Sequence, residues 1–420
     1  MIILQQTRGL LSSNDGLSLD LPFAETKSLT ARIGPTPVFT RSSSATYVDL
    51  DGLIKTAAID APRFEHDPIT GECFGLMVEE TRTNLILRST EFDISTYWSP
   101  IRLVAQPTAN TDTAPDGSTT AEKLIPSITS GDHRIDRSSV TVVSGQLYTI
   151  SVFVKASGYS GFSISAGSSP SPIGATFSLS EDGSVVSTQS GWSATITKFL
   201  DGWFRCTATF TTAATTVRVY FGVGQSGTTF SYSGDGTSGI LIWGAQLEAG
   251  SSATSFIKTS TSTLARSIDL CTITGTDFSS FYNNNEGTAF VDSASIILST
   301  TADNTVYGLG TSSTSAIRLY NRSTQGNRLS ASVADFGILT PSSNYNSNKV
   351  FYKSAISCNS SGFDYFIDGT QIPDSSTGST LTADSLTFSN VTASRSNNTI
   401  KSFKYFRRRF PIAKLESITL

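Results

Sequence analysis

The sequence predicts an all-β protein: tandem antiparallel β-sandwiches after an irregular β-rich N-terminal region. Three observations carry this. Charged residues make up only 15% of the 420, against about 25% in ordinary globular chains. Ser, Thr, Gly and Asn fill the gap, and they favour strands and turns because their side chains compete with helical backbone bonds. Period-2 alternation recurs through the middle of the chain, broken at short intervals by turn signals such as Asp116-Gly117, Asp182-Gly183, Asp201-Gly202 and Asp235-Gly236.

Residues 1–90 read as an irregular β region. Asp51-Gly52 is a turn between two short runs, and residues 67–71 (DPITG) form a second, with Pro and Gly supplying the dihedrals. The run from Phe74 to Ile86 reads as extended chain. From 91 to 258 the alternation is clear. Tyr148, Ile150, Val152 and Val154 share one face of their strand. Phe204, Cys206, Ala208 and Phe210 face one way, and Trp203, Arg205, Thr207 and Thr209 the other. Val217, Val219, Phe221 and Val223 oppose Arg218 and Tyr220.

Residues 239–248 (GILIWGAQLE) close this unit. Strict alternation puts Ile240 and Ile242 on one face and Leu241, Trp243, Ala245 and Leu247 on the other. Both faces are apolar, so both should be covered. The small, polar stretch that follows reads as a hinge, which makes Trp243, Gln246, Leu247 and Glu248 the expected module junction. A second sandwich spans 259–420, with a hairpin at Asp368-Gly369 and a short C-terminal helix opening at Pro411.

Composition bounds function as well. The length calls for two or three domains, and 10% aromatic residues argue against disorder. A net charge of -4 argues against a nucleic-acid partner. The dense basic run Arg407-Arg408-Arg409 reads as a solvated strand end. The opening apolar run stops at Leu4, too short for a secretion signal. No run of about 18 apolar residues exists, so no membrane insertion is expected. The cysteines Cys73, Cys206, Cys271 and Cys358 are scattered, and read as free thiols in a reducing compartment.

No motif declares a reaction. The two histidines, His66 and His133, lie in no recognisable triad or zinc spacing. Glu79 and Glu80 are adjacent, so on a strand they face opposite sides and cannot flank one glycosidic bond. The glycines at 222, 224 and 227 precede a polar loop rather than a helix, so they cradle no dinucleotide.

Several stretches resemble modular phage and prophage virion proteins. Residues 39–49 (FTRSSSATYVD), 61–68 (APRFEHDP) and 79–85 (EETRTNL) look like the leader that precedes lectin-like modules in such chains. Residues 150–156 (ISVFVKA), 201–206 (DGWFRC) and 239–248 are similar to carbohydrate-binding-module jelly rolls. Residues 287–291 (GTAFV), the Asp368-Gly369 hairpin and residues 400–410 (IKSFKYFRRRF) resemble a concanavalin-like, laminin-G-type sandwich. The resemblance implies a non-enzymatic virion surface protein: a tail fibre, spike or adhesin, assembled in the host cytoplasm. Its partners would be other virion proteins and host-surface glycans, in a symmetric homo-oligomer such as a trimer. A head-decoration or neck protein and a polysaccharide-cleaving spike are the alternatives.

Sugar binding calls for aromatic faces that stack on pyranose rings. Trp98, Tyr159, Trp192, Tyr220 and Tyr232 are the expected platforms, being near loops or on mixed faces. Both sandwich types accommodate calcium, and Asp116 and Asp235 are the expected ligands if a metal is bound, although each also suits a plain turn.

Overall fold

The computed structural model describes residues 15–167, 174–295, 304–310, 317–322, 328–333, 337–339, 351–373, 382–388 and 397–420. Nearly all regular structure in them is antiparallel β, arranged as two sandwiches.

The first sandwich packs a six-stranded sheet on a seven-stranded one. The six-stranded sheet runs, edge to edge, Ser193–Lys198, Trp203–Thr211, Leu147–Ser157, Gly239–Ala249, Ala121–Leu124 and Thr108–Asp112. Its partner is centred on Thr216–Gly224, flanked by Gly161–Gly167 and Gly131–Thr141. The alternating sets meet between the sheets: Ile150, Val152, Phe204, Cys206, Val219 and Phe221 are all buried in one core.

The strand Gly239–Ala249 departs from strict alternation. Phe153 pairs with Trp243 and Ser151 with Gln246, so three steps on this strand oppose two on its neighbour. The extra residue is a β-bulge at Gly244, whose φ of +69° lies in the left-handed region that favours glycine. Past the bulge every side chain changes face. Ala245 and Leu247 therefore join Ile240 and Ile242 in the core, while Leu241 and Trp243 belong to a different cluster outside it. This corrects the face expected for Ala245 and Leu247, and it turns the polar pair Gln246 and Glu248 outward.

The second sandwich is interleaved with the N-terminal region. Its eight-stranded sheet contains Glu286–Ser295, Tyr352–Asn359 and Asn397–Phe406, but also Leu17–Leu21, Arg63–His66 and Cys73–Glu79. The opposing sheet takes Val38–Thr40 beside Leu270–Thr274. Residues 17–79 thus complete the C-terminal sandwich, and the first sandwich is inserted between its strands. Of the N-terminal strands, Ala45–Val48 and Ile54–Ala57 pair with each other as a hairpin, with Gly52 in the turn. The Asp368-Gly369 turn has positive φ at both residues, the geometry that suits the twist of a tight hairpin. The C-terminal helix Ile412–Thr419 lies on the outer face of the eight-stranded sheet, where Leu415 and Ile418 meet Phe290, Phe366 and Phe406. The short helices Phe23–Thr26 and Gly275–Phe281 carry no signal strong enough to read from sequence.

Three of the cysteines are buried, Cys73 is half-buried, and all four are free thiols. No helix among the described residues is long and apolar enough to cross a membrane.

Candidate functional site

The junction between the sandwiches builds the site. The outward turn of Gln246 and Glu248 folds the linker back across the sheet. Gln246 Oε1 accepts the Ile257 N–H at 2.7 Å, and Glu248 accepts both the backbone N–H and the hydroxyl of Thr254. Asn84, fully buried, donates to the carbonyls of Ala245 and Ile257 and accepts from the N–H groups of Ile86 and Leu247. Its side chain stitches three segments together and leaves none of its amide atoms unpaired.

Trp243 sits in an apolar cluster with Phe153, Phe199, Trp203 and Phe256, closed by Val48 and Ile54 of the N-terminal hairpin. The indole N–H of Trp243 donates to Thr120 Oγ1 at 3.0 Å and that of Trp203 to the Thr113 carbonyl at 3.1 Å. Beside this cluster lies a buried ion network. Arg63 bridges Glu79 (2.7 Å) and Asp269; Arg41 reaches Asp269 (3.1 Å) and Arg266 reaches Glu79 (3.2 Å). Burial alone would raise the Glu79 carboxyl, but Arg266 and Arg63, with hydrogen bonds from Ser255, pull it down to about 2. Glu80 turns the other way, to Arg82 and Asn397.

Above the network opens a cleft of about 620 Å³, within the roughly 300–1,000 Å³ usual for small-molecule sites. One wall is the outward face of the first sandwich, rich in hydroxyls. Thr195 bonds Thr207 (2.6 Å) and Thr209 bonds Thr149 (2.8 Å) across strands. The other wall comes from the second sandwich, with Phe74, Met77 and Phe351. The Phe74 and Phe351 rings lie 5.1 Å apart, and the Lys401 ammonium sits 4.0 Å from the Phe351 centroid. The linker residues 251–256, Arg205, the carboxylates Glu65 and Glu79 and the N-terminal hairpin also line it.

None of the five expected aromatic platforms lines this cleft. Trp98 is wholly buried against Phe92 and Phe221, its N–H on the Arg88 carbonyl. Tyr159 and Tyr232 do come together, edge to face at 5.4 Å, but both are buried. The Tyr159 hydroxyl accepts the Asp235 N–H, and that of Tyr232 donates to the Val223 carbonyl. Tyr220 is buried beneath the Arg134 guanidinium. Trp192 is half-buried, stacked on Phe210 at 4.6 Å. Rings flanked by loops in sequence went into cores because each removes some 150–250 Å² of surface from water. A buried ring face cannot stack on a sugar, so for Trp98, Tyr159, Tyr220 and Tyr232 the platform expectation is corrected.

The aspartates are held by their own turns. Asp116 Oδ1 accepts from the N–H and hydroxyl of Ser118. Asp235 Oδ1 accepts from the N–H groups of Ser238 and Thr237, and the Ser238 side chain, followed by these N–H groups, holds its carboxyl well below the usual range. No group of three or more His, Cys, Asp or Glu is placed to hold a metal among the described residues. Asp116 and Asp235 lie in separate turns, so they do not form one calcium site. Both histidines are buried: His66 Nδ1 meets the Val48 carbonyl, and the His133 nitrogens meet the carbonyls of Arg102 and Tyr232. His133 lies within the strand Gly131–Thr141.

The cleft residues escaped sequence reading because they come from far apart. Alternation placed Arg205, Thr207 and Thr209 on an outward face, but nothing local says that Phe74 and Phe351 stand opposite.

No protein-family profile matches the chain, and no curated protein matches it in sequence. Solved structures overlap it in part. A Trypanosoma rangeli sialidase in complex with the inhibitor DANA matches 33% of this chain at 11% identity and a TM-score of 0.27, and the match spans only 23% of the sialidase chain. The Ruminococcus gnavus IT-sialidase CBM40 bound to alpha2,3 sialyllactose matches 33% of this chain and 84% of its own, at 10% identity and a TM-score of 0.27. The receptor binding domain of botulinum neurotoxin mosaic serotype C/D matches 36% of this chain and 39% of its own, at 12% identity and a TM-score of 0.28. Overlaps of this size fall short of a shared fold, and nothing about ligand or activity follows from them.

Proposed function

We propose that this chain is a non-enzymatic, glycan-binding component of a virion surface, and that the inter-module cleft is its glycan site. The observation that carries the glycan reading is the pairing of walls. Thr195 and Thr207 offer hydroxyl donors and acceptors, while half-buried Phe351, backed by the buried Phe74, offers an apolar, aromatic side. A pyranose has the same division, with hydroxyls at its rim and C–H groups on its face. The virion setting rests on the phage-like stretches at 39–85, 150–248 and 287–410. A tail fibre, spike or adhesin would carry several copies, in a homo-oligomer such as a trimer. A weak single site then gains avidity through effective concentration.

A purely structural head-decoration or neck protein is the second reading. The extent of the buried ion network at the junction favours it, since such a network rigidifies whether or not a ligand binds. A polysaccharide-cleaving spike has less support. Glycoside hydrolysis needs a carboxylic acid that keeps its proton; of the two glutamates lining the cleft, Glu79 is held ionised by its arginines and Glu65 accepts the Val48 N–H.

A glycan array probed with the wild type and with Thr195→Trp tests the site. Thr195 is exposed on the cleft wall, so the indole should fill the cleft at little cost to folding. The expected result is binding by the wild type, a loss of at least about tenfold in the variant, and a melting temperature changed by only a few degrees. Binding by both proteins alike places the glycan elsewhere. No binding by the wild type at high density overturns the glycan reading in favour of the structural one.

A further inference from the structure

Arg205 differs from the other arginines of the junction. Arg41, Arg63, Arg82 and Arg266 each touch a carboxylate. Arg205, half-buried on the cleft wall, has none within ion-pair distance among the described residues. Its two hydrogen bonds both leave Nη2 and both end on neutral oxygens: Ser151 Oγ at 3.0 Å and the Thr254 carbonyl at 2.7 Å. Its Nε–H is buried without an acceptor, as are those of Arg63 and Arg266, so the missing carboxylate is what sets Arg205 apart. The guanidinium lies over the Phe153 ring, 5.3 Å from the centroid, which fixes its plane. Nearby acids are engaged elsewhere: Glu79 with Arg63 and Arg266, Glu248 with Thr254, and Glu65 with the Val48 N–H.

A cation held rigidly at the edge of a cleft, with desolvation unmatched by a contacting anion, is poised to receive one. We propose that Arg205 pairs with a carboxylate of the saccharide in the cleft, so that the ligand class is acidic rather than neutral glycans. This rests on the cleft being the glycan site. Burial depresses the Arg205 basicity, and the more distant Glu248, Glu79 and Glu65 offset that only in part, which agrees with a charge still short of compensation. Arginine suits the role because it carries five N–H donors, so Nε–H or Nη1–H can meet a carboxylate oxygen while Nη2 stays on Ser151 and the linker.

The test is an array of surface polysaccharides, each in native form and with its carboxylates reduced to primary alcohols. Reduction keeps the ring and its hydroxyls and removes only the charge. Wild type is expected to bind the reduced forms at least about tenfold more weakly. In Arg205→Gln the two forms should bind within about twofold of each other, and Arg205→Lys should retain part of the preference. Melting curves show which variants are folded; if Arg205→Gln is not, Arg205→Lys and wild type still decide. Equal binding of the two forms by wild type, or a preference that survives in Arg205→Gln, overturns the assignment of Arg205. Binding confined to neutral glycans does so too, while leaving the cleft as the glycan site. Binding of no glycan at all overturns both.

Discussion

At the scale of single residues, buried charge dominates. Arg63, Glu79, Asp269 and Arg266 lie at 0–2% exposure, where an unpaired charge costs several kcal/mol and a paired one needs every partner. Glu79 shows the consequence for pH. Its folded pKa of about 2 lies below the reference value of 4.5. The unfolded chain therefore binds the proton more readily, and the stability this group supplies is present above pH 4.5 and lost as pH falls toward 2. Glu79→Gln should cost about 3–5 kcal/mol at pH 7, because it leaves Arg266 without its contacting carboxylate and Arg63 with Asp269 alone. It should also flatten the pH dependence between 4.5 and 2. Urea unfolding at pH 7 and pH 3 measures both; a loss under about 1 kcal/mol at pH 7 would mean the network does not couple the modules. Glu122 runs the opposite way, since burial and then Asp93 push its carboxyl up to about 9. Its contribution is full below pH 4.5 and is lost as pH rises through 9.

At the scale of elements, the closing strand depends on one residue. The Gly244 bulge lets a single strand place Ile240, Ile242, Ala245 and Leu247 in the core while Trp243, Gln246 and Glu248 meet the junction. A Cβ at this position would sit 3.0 Å from Phe153 Cδ2, on a backbone with φ of +69°. Gly244→Val combines that contact with a left-handed β-branched residue, so a loss of about 2–3 kcal/mol is expected by denaturant titration. A neutral outcome would show that the strand can pair without the bulge. The apolar residues and the bulge glycine are both visible in the sequence. The bulge itself was not, because a glycine inside an alternating run is compatible with either register.

At the scale of the whole molecule, the inserted first sandwich and the interleaved second one meet at Trp243 and the ion network. Trp243 is buried, yet it does not line the cleft. Trp243→Ala should cost about 3–5 kcal/mol through the cavity it leaves, while glycan binding per folded molecule persists. Calorimetry with binding measured on the folded fraction separates the two effects; binding lost at unchanged stability would make Trp243 a ligand contact instead.

Local sequence was sufficient for the all-β class, the turns and the facing of most strands. Backbone pleating sends neighbouring side chains to opposite sides, so Phe204, Cys206, Ala208 and Phe210 declare a core face wherever the strand ends up. Alternation says nothing about the partner strand. Whether Leu17–Leu21 and Cys73–Glu79 would form a unit of their own, or pair with Asn397–Phe406 as they do, depends on hydrogen bonds between backbones that are chemically alike in every strand. The tertiary structure decided that pairing, the bulge that redirects Gln246 and Glu248, and the cleft that sets Thr195 and Thr207 across from Phe74 and Phe351. It likewise sent Trp98 and Tyr232 inward, since the area each ring buries outweighs its position beside a loop.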